Sequence, residues 1–295
     1  MSTYFSEQQG DKVELVIQVE EQLHKEVSEF QTIEVFQSKD FGKILVIDGV
    51  LMLTERDEFI YHEMMVHVPL AVHPGVHRAL VIGGGDGGAL RELLRYPEIE
   101  SIDLVEIDER VMRVSQEFFP HLASSFDSDR VHLHVADGLK YIRKWEDHYD
   151  LILVDSTDPI GPGVSLFTRE FYGNCYKALK GDGILVNQHE SPFYDEQARM
   201  VWEIRRQTRA VFPVNFLYQA YIPSYPSGHW LFGFMSKGYH PLKDHQPCAW
   251  EARGLATRYY NSRIHQGAFA LPTYVQSLLD QTGEDFIPVL SGGDQ

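Results

Sequence analysis

Residues 81–93 read VIGGGDGGALREL. An apolar strand end runs into a turn with five glycines and leaves it as a helix-forming tail. Such a turn presents backbone N–H donors and the positive end of a helix, both of which favour anions. Yet a carboxylate, Asp86, stands in its middle. The string satisfies G-x-G-x-x-G literally from Gly83 to Gly88, and Glu106 ends the next apolar run about twenty residues on. That pattern describes a dinucleotide-type fold in which the acidic residue hydrogen-bonds ribose hydroxyls, so an adenosine-like ligand is expected. A pyrophosphate is not, because like charges about 4 Å apart repel by roughly 4 kcal/mol at an effective dielectric near 20.

Outward from this turn, RALVIGG, SIDLVEID, VHLHVAD, YDLILVD and GILVNQ are short apolar runs separated by helical patterns or loops. The alternation predicts βαβ units and a mostly parallel sheet covered on both faces. NFLYQAYI and HWLFGFMS, joined by PSYPSG, read as a closing antiparallel pair, and the tail from Leu255 to Gln281 reads as helical. Before the turn, RDEFIYHEMMVHVPLAVH predicts a helix ending at Pro74-Gly75. Up to about residue 55 the chain reads as a small β unit, VELVIQVEEQLHKEV, FQTIEVFQS and KILVIDGVLML, with a turn at Asp48-Gly49.

In an open α/β sheet the residues just after each strand meet the ligand. The third strand of the series ends in Ala136-Asp137-Gly138, where Asp137 is placed both to accept from an adenine amino group and to cap the helix LKYIRKW. The fourth ends in YDLILVDSTDPIGPG, with Asp155 and Asp158 held together by a loop stiffened by Pro159 and Pro162. Paired carboxylates suit a metal, a glycosidic bond or an amine. No third Asp, Glu or His stands nearby in sequence to complete a metal site, and an α/β nucleoside site is an odd place for a glycosidase pair, which leaves recognition of an amine with a carboxylate able to take its proton. His62 and His67 sit in a string like a zinc-protease helix, but five residues on a helix turn them about 140° apart, so zinc is not expected. Tyr61 and His62 are placed instead to line an acceptor site, and Tyr225 in PSYPSG is a candidate substrate contact.

With 295 residues, 43% of them apolar, the chain can bury a sizeable core. Its 26 Lys+Arg against 43 Asp+Glu give a net charge of −17, which argues against nucleic acid and for cationic or neutral small ligands. No run approaches the roughly 18 apolar residues of a membrane span, and the polar start MSTYFSEQQGDK lacks the apolar segment of a leader, so a cytoplasmic protein is expected. Cys175 and Cys248, without metal-type spacing, read as buried free thiols.

GGGDGG, VEID, ADG, VDSTDPIGP, DGVLMLTERDEFIYHEM, IPSYPSG and YYNSRIHQGAFALP, in their places along most of the chain, resemble the spermidine synthase (polyamine aminopropyltransferase) family. The resemblance implies an N-terminal β-strand domain over residues 1–55 and a class I methyltransferase-like, Rossmann-like catalytic domain over 56–295. It implies transfer of an aminopropyl group from decarboxylated S-adenosylmethionine, a co-substrate rather than a cofactor, to putrescine, giving spermidine and methylthioadenosine. Asp155 matches the proton acceptor. Asp86, His62 and the segment Asp155, Ser156, Thr157, Asp158 match amine-contacting positions, and Gln31, Glu106, Asp137, Gly138 and Pro162 match nucleoside-contacting ones. A homodimer or homotetramer is implied, with no metal.

Both substrates are cations, and a site with Asp86, Asp155 and Asp158 suits them. One difficulty accompanies this: an amine of pKa near 10 gives its proton to an ordinary carboxylate only over a climb of roughly 8 kcal/mol, so burial must raise Asp155 or water must finally take the proton. Agmatine or cadaverine as acceptor, and a methyltransferase using intact S-adenosylmethionine, are the alternatives; a carboxylate at Asp86 is badly placed for a donor that carries its own carboxylate.

Overall fold

The computed structural model describes residues 3–9, 13–157, 161–283 and 285–290. The first strands, β1 (Thr3–Gln9) and β2 (Val13–Val19), pair antiparallel. Next come β3 (Glu21–Val27), β4 (Thr32–Ser38), β5 (Gly42–Ile47) and β6 (Val50–Thr54), a four-stranded antiparallel sheet in that order. Asp48 and Gly49, both in the left-handed region at φ 51° and 82°, make the tight β5–β6 turn their sequence promised. The sequence reading began its strands at Val13 and so missed β1. Its inward residues are Phe5, Glu7 and Gln9, two of them polar, which hides the alternation that marks a strand.

Helix α1 (Glu58–Leu70) then leads to β7 (Arg78–Gly83). Beyond β7 come α2 (Gly88–Leu93), β8 (Ser101–Glu106), α3 (Glu109–Phe118), α4 (Pro120–Ala123), β9 (Val131–Val135), α5 (Gly138–Ile142) and β10 (Tyr149–Asp155). A 3-10 turn over Gly161–Phe167 precedes α6 (Arg169–Ala178), β11 (Leu179–Gln188), α7 (Asp195–Arg209), β12 (Val214–Tyr221) and β13 (His229–Ser236). The last seven strands form one sheet, ordered β12-β13-β11-β10-β7-β8-β9, parallel except for β13, which runs against both its neighbours.

Alternate residues of each parallel strand enter opposite layers of core. Ala79 and Val81, Leu151 and Leu153, and Ile184 and Val186 pack with α1 and α2. Leu80 and Ile82, Ile152 and Val154, and Leu185 pack with Tyr141, Phe171 and Tyr172 on α5 and α6. Both faces are therefore dry, which is why these strands read as continuous apolar runs. Val111 and Val114 of α3 pack instead on Ile33, Val35 and Leu45, joining the β unit to the sheet domain.

Two expectations need correction. The stretch 255–281 is two short helices, α9 (Ser262–Ala268) and α10 (Thr273–Leu279), after a small α8 (Pro247–Glu251). Asn261 accepts from the N–H groups of Arg263 and Ile264 and starts α9, and Pro272 precedes α10, so cap chemistry divides what periodicity joined. Cys175 is buried as expected, but Cys248, on α8, is exposed. Among the described residues no helix is long and apolar enough to cross a membrane.

Candidate active site

The strand order reverses at β7, whose neighbours are β10 on one side and β8 on the other. Gly83 and Asp155 end β7 and β10 directly opposite each other. Gly83 has φ +82°, and a Cβ there would collide with the Asp155 carbonyl; that carbonyl accepts from Gly84 N at 2.8 Å, fastening the glycine turn to the end of β10. A cavity opens beyond these strand ends. Gly84, Asp86, Glu106, Asp137, Gly138, Asp155, Ser156 and Thr157 line it, with Leu45, Leu51 and Leu53 of the β unit opposite and Tyr61 and His62 from α1.

Asp155 is the centre of this arrangement. Its Oδ1 accepts from Tyr61 Oη at 2.6 Å, and its Oδ2 is buried with no hydrogen-bond partner among the described residues. Burial, then the Asp86 charge, raise its pKa to about 6, against the opposing pull of His62 and the Tyr61 hydroxyl. Asp86 Oδ1 accepts from Gly88 N at 2.6 Å and faces His62 Nε2 at 3.3 Å. Burial alone would raise Asp86, but His62 and the Gly88 N–H outweigh it and bring it below the usual range. Asp86 therefore both receives the first N–H of α2 and faces the His62 ring. Gly88 is required by the same packing, since a Cβ there would fall inside the His62 ring.

His67, as the five-residue spacing implied, points elsewhere, to Tyr96 Oη at 2.7 Å and Glu92 at 3.0 Å. The sequence found no third metal ligand near Asp155, whereas the fold brings His62, Asp86 and Asp155 within 4.8 Å of one another. His62 lies between two carboxylates, Glu58 at Nδ1 and Asp86 at Nε2, so a cation bound by its ring would have to replace a proton on Nε2. A second such group, His73, Asp150 and Asp182, lies elsewhere. There His73 Nδ1 accepts from Gly75 N, which puts the imidazole proton on Nε2 and removes that ligand too.

The side of the cavity expected to meet a nucleoside is built from the ends of β8 and β9. Glu106 is buried; its Oε1 accepts from Asp108 N at 3.0 Å, and burial raises its pKa to about 7. Asp108 caps α3 and receives Gln31 Nε2 at 3.1 Å and Ser28 Oγ at 2.6 Å, which seats Gln31 at the cavity wall. Asp137 caps α5 by accepting from Lys140 N at 3.2 Å, and Gly138 opens that helix. Asp158 lies outside the described residues, as does the side chain of Pro162.

The loop carrying Tyr225 is pinned to α1, because Asp57 accepts from the Ser224 N–H and hydroxyl, both at 2.9 Å. Tyr225 Oη donates to Met52 O at 2.6 Å, so it is the ring of Tyr225 that stands 6.3 Å from that of Tyr61. Glu7, Gln9, Gln188, Glu190 and Gln197 also line the cavity, and the sequence reading named none of them. Gln188 ends β11 and was open to the strand-end rule; Glu7 and Gln9 lie on the missed β1.

The spermine/spermidine synthase domain model matches residues 58–245, and the spermidine synthase tetramerisation domain model matches residues 3–55. The chain belongs to the spermine/spermidine synthase family. Within that family, the polyamine aminopropyltransferase of Clostridium beijerinckii is 55% identical over 280 residues, 95% of this chain and 99% of the relative. That of Alkaliphilus oremlandii is 54% identical, covering 96% of this chain and all of the relative. A crystal structure of spermidine synthase in complex with the transition state analogue AdoDATO superposes with a TM-score of 0.91 at 38% identity, over 94% of each chain. The spermidine synthase of Thermotoga maritima gives 0.88 at 37%, again over 94% of each. Like these relatives, the chain is an aminopropyltransferase, on a Rossmann-like, methyltransferase-type sheet.

Proposed function

We propose that this aminopropyltransferase carries the aminopropyl group of decarboxylated S-adenosylmethionine to putrescine, releasing spermidine and methylthioadenosine. The observation that carries this reading is the pair Asp86 and Asp155 at the switch point, with one oxygen of Asp155 buried and unpartnered. A buried acceptor without a donor is costly to leave so, and an incoming amine supplies the missing N–H.

Ribose hydroxyls meet Glu106, and the adenine meets Asp137 and the first turn of α5, beside Gln31. The donor's ammonium docks at Asp86 beside His62. The acceptor lies along Tyr61, Tyr225 and the segment Asp155, Ser156 and Thr157. Its neutral amine attacks the aminopropyl carbon bonded to sulfur. A C–N bond forms, and the C–S bond breaks with its electron pair passing to sulfur, which becomes the neutral thioether of methylthioadenosine. The amine is neutral because its ammonium has first given a proton to Asp155, and the positive charge that leaves sulfur stays on the new secondary ammonium. With that carboxylate raised to about 6, the climb from an amine near 10 falls to roughly 5 kcal/mol, and alignment of the two substrates supplies much of the rate.

Glu7 and Glu190 add acidic groups to the same cavity and suit the second ammonium of a diamine. No metal or organic cofactor has a role in this displacement. The name of the domain model matched by residues 3–55 supports a homo-oligomer, and we place the enzyme in the cytoplasm. Incubation with decarboxylated S-adenosylmethionine and, separately, putrescine, agmatine, cadaverine or spermidine tests the acceptor through product masses and specificity constants. Putrescine should give the highest constant, and a higher one for agmatine would overturn the choice.

A further inference from the structure

Glu58 takes no part in the chemistry above, yet it is buried against the site. One turn before His62 on α1, its Oε2 lies 2.7 Å from His62 Nδ1. Arg91, from α2, grips both its oxygens, Nη1 to Oε1 at 2.8 Å and Nη2 to Oε2 at 3.1 Å, and is held in turn by Glu92 at 2.9 Å from Nε. On its other side His62 presents Nε2 to Asp86 Oδ1 at 3.3 Å. An ionised carboxylate only accepts hydrogen bonds, so a ring hydrogen-bonded to Glu58 through Nδ1 and within ion-pair distance of Asp86 at Nε2 is placed to carry a proton on each nitrogen, as an imidazolium.

We propose that Glu58, clamped by Arg91, is a positioning residue for aminopropyl transfer, holding His62 as a doubly donating imidazolium that keeps Asp86 ionised and aimed at the cavity. The inference rests on the role given to Asp86 above. The charged and titratable groups facing His62 are Glu58 on its own helix, Asp86 on the glycine turn, Asp155 at the end of β10 and the Tyr61 ring edge-on at 5.4 Å, with Arg91 beyond Glu58. Burial opposes a charge on His62, but Asp86 and then Glu58 outweigh it and raise its pKa to about 10. Burial likewise opposes the charge on Glu58, and His62 and Arg91 bring its pKa down to about 2.

The charges explain why a fixed imidazolium matters. Glu58 and Asp86 against His62 and Arg91 make a neutral set, so Asp86 need not be protonated to lie close to Asp155. If His62 were neutral, Asp86 and Asp155 would repel each other unrelieved and one of them would take up a proton. The donor's ammonium would then lose its ionic partner or the acceptor amine its base.

The test is Glu58→Gln, which keeps the side chain's size and removes its charge. The KM for decarboxylated S-adenosylmethionine should rise about tenfold, with kcat changing less, as for a lost charge-assisted contact. In addition, kcat/KM for the donor should acquire a fall near neutral pH, where His62 now loses its proton, while the wild type stays level there. A variant whose methylthioadenosine affinity is intact and whose pH profile parallels the wild type would overturn the proposal. Should Glu58→Gln not fold, nitrogen NMR of histidine-labelled wild type decides directly: both His62 nitrogens protonated at about pH 8 is the expected result, and a neutral ring contradicts it. The NMR arm needs no turnover, so its failure is distinct from an absence of aminopropyl transfer by the wild type.

Discussion

Tyr61 Oη donates to Asp155 Oδ1 at 2.6 Å, and the other oxygen of that carboxylate is buried without a partner among the described residues. One oxygen is thus fixed by the protein and the other left for whatever enters the cavity. Asp155→Asn keeps the size and removes the proton acceptor, so kcat should fall by about a hundredfold or more, while methylthioadenosine still binds. Steady-state kinetics beside calorimetry of methylthioadenosine would show the split. Equal loss of both would mean that Asp155 holds the site together rather than acting in the reaction.

The same contact sets a pH dependence. Asp155 accepts a proton only when ionised, so kcat/KM for the amine should fall as pH drops through about 6. The Tyr61 hydroxyl favours the ionised form, so Tyr61→Phe should move this acid limb to higher pH. A limb unmoved by the substitution would show that the hydrogen bond does not tune the carboxylate.

Glu106 ties pH to stability. Its folded pKa, about 7, lies above the ordinary glutamate value of 4.5, so the folded state holds a proton that the unfolded state releases between these values. Stability from this group is therefore present below about pH 4.5 and lost as pH rises to about 7, by about 3 kcal/mol in all. Glu106→Gln, whose amide oxygen can still accept from Asp108 N, should flatten that part of the stability curve and weaken methylthioadenosine before it slows turnover. Denaturant titrations at several pH values check the first claim and calorimetry the second.

Much of the site was legible because its residues follow strands. The turn after β7, Glu106 after β8, Asp137 after β9 and Asp155 at the end of β10 were all found by asking what ends each apolar run. What escaped were partners far apart in sequence. Arg91 meets Glu58 across 33 positions, and Gln31 meets Asp108 across 77. Such pairs follow from how α1 lies on α2 and how the β unit meets α3, and no periodicity encodes that. The inward face of β1 escaped for a different reason, since Glu7 and Gln9 line the cavity rather than a core.

Asp86→Asn tests the anchor for the donor. Asn keeps an oxygen for Gly88 N, so the helix start survives, but the charge facing the ammonium is gone. Affinity for decarboxylated S-adenosylmethionine should fall by roughly 1.5–3 kcal/mol, while affinity for the intact compound, which carries its own carboxylate, holds or improves. Calorimetric titration of both compounds into both proteins reads the ratio, and an unchanged ratio would leave Asp86 as a helix cap.

The most direct measurement compares the two donors with the wild-type enzyme and putrescine, resolving products by mass. Decarboxylated S-adenosylmethionine should yield spermidine and methylthioadenosine in equal amounts, and intact S-adenosylmethionine should yield neither. A methylated amine with S-adenosylhomocysteine from the intact donor, and no spermidine from the decarboxylated one, would contradict the account.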